Sequence, residues 1–315
     1  MIARTLLATA AVTVATAACA TTPAIETAPP QEGFELIDLT DEFANFWDMT
    51  QGMDDAARAA AFKAHFEPHL PGYYAREKVG PFNYNDFILK ALKNYPEDRA
   101  GIEQVSRNFT AMMAPARASF EAAVGPMGEM RPMYLLHSLG EMDGGVRNYQ
   151  GSPTMFFGAD VIARNHLKHG IQPFFHHELF HTFHRQYFKG CDQVWCGLWG
   201  EGLAVYVAEK LNPGATDDQL LLVRPEPLRP AVEANRKAAI CEVLPKLDST
   251  ETGNLFTGAG KSIGTLPARV GYYIGYLAAA EAGKTHSLKE LAHMPSEQVR
   301  PLIEASLRKL ADCPA

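Results

Sequence analysis

The chain has no long run of like charge, no internal repeat and no excess of basic residues: 29 Lys and Arg stand against 36 Asp and Glu, a formal charge of −7. That balance offers no clustered basic face for a phosphate backbone, so nucleic acid is not an expected partner. Apolar runs are short as well. Leu6 to Ala18 is the stretch that most resembles a membrane segment, and it falls below the ~20 residues that span a bilayer. No two cysteines are separated by two residues, which argues against a cysteine-ligated metal cluster. What remains is ordinary globular composition, 47% hydrophobic and 21% charged over 315 residues. The length suits one large domain or two closely packed ones.

The N-terminus has the layout of a secretory signal. Met1 to Arg4 is a short positive start, and an apolar stretch of small residues follows it. The stretch closes on Thr16-Ala17-Ala18-Cys19. Small residues before a Cys resemble a bacterial lipoprotein signal, although a Leu usually stands where Thr16 does. Residues 1–19 are therefore expected to be a signal peptide, with Cys19 either a lipid anchor or close to a simple cleavage point. Residues 20–32, rich in Thr, Pro and Ala, read as a flexible tether. The expected location is outside the cytoplasm, in the periplasm or at a bacterial outer membrane. Four cysteines remain, Cys191, Cys196, Cys241 and Cys313, and an even number in an exported chain favours disulfides. Cys191 with Cys196 would close a small loop, and Cys241 with Cys313 would then tie down the C-terminal tail. Three pairings are possible, and spacing alone does not choose among them.

From Glu32 to about Pro126 the apolar residues recur at helical spacing. Phe43, Phe46 and Trp47 form one group, and Ala60, Phe62 and Phe66 another. Phe87, Leu89 and Leu92 suggest a short helix ending before Pro96, with a longer one over 97–124. Met133 to Leu139 and Thr154 to Ala159 read as two strands joined by a Gly-rich turn or loop. Helices are expected again over 173–188, 200–211, 217–223, 230–247, 267–283 and 296–311.

The segment that carries chemistry is Phe175-His176-His177-Glu178-Leu179-Phe180-His181. On a helix, residues four apart share a face, so His177 and His181 can point at one ion. Glu178 then lies beside that ion and can accept a proton from a water polarised there. The apolar neighbours predict a buried helix, on which unpaired polar groups would be costly without a function. The motif is short enough to arise by chance, and a tetrahedral site needs a third protein ligand. Glu201, 20 positions after His181 in Leu198-Trp199-Gly200-Glu201-Gly202-Leu203-Ala204-Val205-Tyr206, is expected to supply it from the first turn of the next helix. His184 cannot reach the same ion from a straight helix, and Tyr187 stands where a metzincin would have its third His. Glu209 lies two turns beyond Glu201.

His-Glu-x-x-His followed by this W-x-E-G-L-A-x-Y run resembles the gluzincins, the thermolysin-like superfamily of zinc peptidases. Arg269-Val270-Gly271-Tyr272-Tyr273-Ile274-Gly275-Tyr276 is similar to a segment of predicted bacterial zinc proteases. The resemblance covers about 100 residues, from near Met155 to Tyr276. It implies one Zn2+ held by His177, His181 and Glu201, Glu178 as general base, and a Tyr that donates to the oxyanion, Tyr272 or Tyr273, with Tyr272 preferred. The substrate would be a peptide or protein. By analogy, the strand near Met155 to Asp160 would be the edge that pairs with it. One departure is Val205, where thermolysin-like enzymes often carry a carboxylate that steadies a metal His. Asp160, Asp192 or His184 would have to serve instead. Glu141 and Asp143 are candidates to hold a substrate amine. The expected fold is α+β and mainly α-helical, with a small sheet next to a zincin-type catalytic helix. A helical N-terminal region over 33–130 would precede a gluzincin-like catalytic domain over 131–315.

Overall fold

Helical periodicity organises the first third of the chain, with fewer breaks than its prolines suggest. In the computed structural model, which describes residues 35–128, 130–258 and 261–313, strand β1 (Leu36–Asp38) leads into α1 (Thr40–Met49) and α2 (Asp55–Phe66). The Asp54 side chain caps α2 by accepting from Ala57 N at 3.0 Å. A two-stranded hairpin, β2 (Lys78–Val79) and β3 (Phe82–Asn83), precedes α3 (Tyr84–Val124), a single helix of 41 residues. The break expected before Pro96 does not occur. Proline removes the N–H that would bond the carbonyl four residues back, and that carbonyl, Leu92 O, instead accepts from Trp47 Nε1 at 2.8 Å. The signal peptide expected over 1–19, Cys19 within it and the tether over 20–32 lie outside the described residues.

A four-stranded sheet follows, built from β1, β4 (Met133–Leu136), β5 (Gly144–Tyr149) and β6 (Ser152–Gly158) in the order β1-β4-β6-β5. β1 pairs parallel with β4, so residues 33–130 contribute a strand as well as helices. β4 pairs parallel with β6 through Tyr134↔Phe156 and Leu135↔Phe157, and β5 closes the sheet antiparallel to β6. Two expectations change here. The segment read as a turn or loop contains β5. The strand near Met155 is interior, and β5 is the edge. The burial of both Phe156 and Phe157 fits an interior strand, whose two faces are covered.

The rest is helical: α4 (Ala159–Asn165), α5 (Gln172–His184), α6 (Val194–Leu211), α7 (Leu228–Glu233), α8 (Arg236–Val243), α9 (Val270–Ala282), α10 (Leu288–Ala292) and α11 (Ser296–Leu310). The fold is thus α+β and mainly helical, with its small sheet against α5, where the Phe157 ring meets Phe174 and Phe175 edge-on. Residues 217–223 form turns, with Leu221 at φ 63, outside the helical region. The helix expected over 230–247 divides where Asn235 caps α8. α6 begins at Val194 rather than near 200, because Trp195, Leu198 and Trp199 are buried and draw that stretch into the core. Glu201 therefore sits in the middle of α6, not in its first turn.

α6 and α9 cross at a contact of two glycines. A Cβ placed on Gly202 would lie 2.0 Å from the carbonyl carbon of Gly275, and one on Gly275 would lie 2.1 Å from Leu198 O. Only backbone fits at this crossing. Two disulfides, Cys191–Cys196 and Cys241–Cys313, join cysteines whose Cα atoms are 5.7 and 5.4 Å apart. No helix among the described residues is long and apolar enough to cross a membrane.

Two stability measurements test this account. Gly202→Ala should cost about 3 kcal/mol in chemical denaturation, at or above the usual range for overpacking, because backbone rather than a flexible side chain must move. The cysteines of the long bridge are 72 positions apart and those of the short bridge 5. On chain entropy, replacing Cys241 and Cys313 by Ser should cost about 4 kcal/mol, and replacing Cys191 and Cys196 about 2 kcal/mol.

Candidate metal centre

α5 carries four histidines and a glutamate through the core, and they fall into distinct environments. His176 faces α3 and the end of α6. Its Nδ1 pairs with Asn212 Nδ2 at 2.7 Å, and its Nε2 lies 2.8 Å from Ser119 Oγ and 3.1 Å from Ala116 O. Burial lowers its pKa to about 4. It is a neutral anchor for the helix. His184 likewise bonds Ala292 O at 2.9 Å through Nδ1. Neither takes part in the metal cluster.

His177 and His181 face the opposite way, toward α6. Their Nε2 atoms are 3.0 Å apart and lie 3.3 and 3.4 Å from Glu201 Oε2. Donors bound at about 2.0–2.1 Å around a tetrahedral ion stand about 3.3 Å from one another, so all three separations match the edge of such a polyhedron. Glu201 Oε2 is shielded from water and has no hydrogen-bond partner, the state of an acceptor awaiting a cation. Burial pushes the Glu201 carboxyl up, but His181 and His177 outweigh it and hold its pKa well below the usual range. For His181, burial pulls downward and the Glu201 charge prevails, so its pKa is raised. These three side chains can hold a divalent metal ion. Glu209, the more distant candidate, is bound by Tyr276 Oη at 2.7 and 2.9 Å and lies apart from the cluster.

Glu178 is buried beside the cluster, and its Oε2 has no hydrogen-bond partner. Burial raises its pKa to about 8, with His181 opposing and Asp143 and Glu201 adding to the rise. Its side chain lies against the start of β5. A Cβ on Gly144 would come within 2.8 Å of the carboxyl carbon, so the glycine makes room for it.

Tyr272 comes to this site from the first turn of α9. Its ring is parallel to that of His177 at 6.1 Å, and the Arg269 guanidinium covers it at 4.3 Å. Burial first, and then the charge of Glu201, push the phenol pKa well above its ordinary value, so the hydroxyl keeps its proton at neutral pH. Tyr273 points elsewhere, donating to Glu233 at 2.6 Å.

Of the residues weighed as partners for the metal histidines, Asp160 is committed to Ser138, Gly140 and Arg164, His184 bonds Ala292 O, and Asp192 is exposed. His177 Nδ1 is buried without a partner. Glu141 forms a two-pronged ion pair with Arg76 at 2.7 and 3.0 Å and is structural. Asp143 is closer to the chemistry. It bonds His166 Nε2 at 2.8 Å, and the His166 ring stacks on Phe174 at 4.3 Å. Asp143, His166, Arg224 and Arg269 line a cavity of about 270 Å³. A second cavity of about 310 Å³ opens onto His181 and Glu201 and is edged by Cys191 and Cys196. The expectations from sequence did not include His166 or Arg269. Their only linear signal is Arg269 beside the Tyr pair.

Comparison of the chain with protein-family models, with curated proteins and with solved structures gives no match.

The ligand assignment predicts a contrast between two glutamates on one helix. In Co2+ titrations, Glu201→Ala should weaken binding at this site more than about 100-fold, beyond the 10–100-fold typical of outer-shell changes. Glu209→Gln should bind as wild type does. Equal loss in both variants would remove Glu201 as a ligand.

Proposed function

We propose that the protein is a zinc-dependent peptidase of the gluzincin type, acting outside the cytoplasm on peptides or proteins of the cell envelope. The observation that carries this reading is the tetrahedral spacing of His177, His181 and Glu201 beside a buried, unpartnered carboxylate, Glu178. Two imidazoles and one carboxylate, with a fourth position open, form the ligand set of hydrolytic zinc sites. A structural zinc site has no use for a general base, so Glu178 favours catalysis. The two disulfides fit an oxidising compartment.

When bound, the ion supplies Lewis acidity, polarising both a water and the scissile carbonyl. The chain's own groups do the rest. Glu178 accepts the proton of the attacking water and delivers it to the leaving amine. Its burial suits this task, since a base that operates near neutrality needs a raised pKa, and a nearby cation offsets part of the rise. Tyr272, protonated and parallel to the His177 ring, donates to the oxygen on which negative charge develops. β5 offers an outer edge that begins at Gly144, against Glu178. An extended peptide added there as a further strand would bring its backbone to the base.

Glu178→Gln should retain the tightly bound zinc by elemental analysis and lose at least about 100-fold in hydrolysis of a peptide library. Tyr272→Phe should lower kcat by about 10- to 100-fold with little change in KM, since its bond is made in the transition state. Folded wild type with one tight zinc and no cleavage of any peptide would instead favour a non-peptide amide substrate or a silent zinc protein.

A further inference from the structure

α1 and α2 carry a second convergence of metal-ligating side chains. Glu42 lies in the first turn of α1. His65 lies in the last turn of α2, and His69 follows four residues later, where Leu70 N still bonds Phe66 O in helical fashion. Residues four apart on a helical path share a face, and here that face meets Glu42. His65 Nε2 lies 3.3 Å and His69 Nε2 3.7 Å from the same atom, Glu42 Oε2. The three donor atoms lie within 4.8 Å of one another.

Several features separate this group from an ordinary surface ion pair. His65 Nε2 is shielded from water and makes no hydrogen bond. The His65 ring is held from beneath by Phe46 and Phe66, at centroid distances of 5.3 and 5.1 Å, so its direction is set by packing. Both imidazoles address one carboxylate oxygen, yet neither comes close enough to bond it well; the distances suit neighbouring ligands of one ion better than donor and acceptor. The separations resemble those of His177 and His181 from Glu201, though slightly looser.

We propose that Glu42, His65 and His69 form a second site for a divalent transition ion such as Zn2+, which staples α1 to the end of α2. It is independent of the proposed peptidase activity. All three side chains are partly exposed, so water completes the coordination and binding is weaker than at the interior site.

The test is metal titration of chelator-treated full-length protein with Co2+ and Zn2+. Wild type should take up two equivalents, the second more weakly. His69→Ala and Glu42→Gln should take up one, and His181→Ala should retain the weaker one. Because His69 lies at the surface, its side chain 40% exposed, its replacement leaves the core packing intact, and circular dichroism verifies the fold. Excess Zn2+ beyond the first equivalent should raise the Tm of wild type but not of His69→Ala. A single equivalent in wild type, an unchanged second equivalent in His69→Ala, or its loss in folded His181→Ala would each overturn the proposal. Failure of the peptidase reading alone would leave the contrast between His69→Ala and wild type in place.

Discussion

The crossing of α6 over α9 is the constraint on which the candidate site rests. A helix pair ordinarily keeps its axes 8–10 Å apart because side chains intervene. At Gly202 and Gly275 nothing intervenes, and a single Cβ on either would strike backbone. Glu201 and Tyr272 lie one and three residues from those glycines. The same close approach that removes two side chains therefore sets a carboxylate and a phenol beside the imidazoles of α5. The glycines flanking Glu201 act differently: Gly202 governs distance, whereas a Cβ at Gly200 would meet no atom within 4 Å.

α5 illustrates how a core helix can carry polar groups without losing its stability. His176 is satisfied by Asn212 and Ala116, and His184 bonds Ala292 O through Nδ1. Their bonds fix the rotation of the helix about its axis. With that rotation set, His177, Glu178 and His181 are presented to α6 and β5 with few protein partners. Three of the buried atoms without a hydrogen-bond partner, Glu201 Oε2, Glu178 Oε2 and His177 Nδ1, belong to this one group of side chains. Buried polar atoms without partners are rare in native proteins, and their clustering distinguishes a binding site from scattered imperfections.

Legibility in the sequence followed the range of the interaction. The candidate cluster on α5 was readable because helical spacing alone puts His177 and His181 on one face. Glu201 was proposed from the need for a third donor together with its Trp199-Gly200-Glu201-Gly202 context, and the fold brings it to the two histidines. β5 was missed because Gly144 and Gly145 carry no strand signal, and its existence depends on pairing with β6. Asp143, His166 and Arg269 come from three separated segments, and only the folded chain makes them neighbours. Pro96 misled for a similar reason: the carbonyl it frees is taken by Trp47, 45 residues before Leu92. The start of α6 was misplaced because Gly197 and Gly200 weigh against a helix locally, while burial of Trp195 and Trp199 outweighs them.

The short disulfide has a consequence for how the candidate centre is held together. Cys191 lies in the connection between the two helices that carry the candidate ligands, Cys196 lies in α6, and both border the opening onto His181 and Glu201. The bridge ties that connection to the first turn of α6 and so restrains the position of α6 relative to α5. Without it, His177 and His181 on one helix and Glu201 on the next would lose one restraint on their register. The geometry of the candidate centre is thereby tied to the oxidation state of one pair of cysteines.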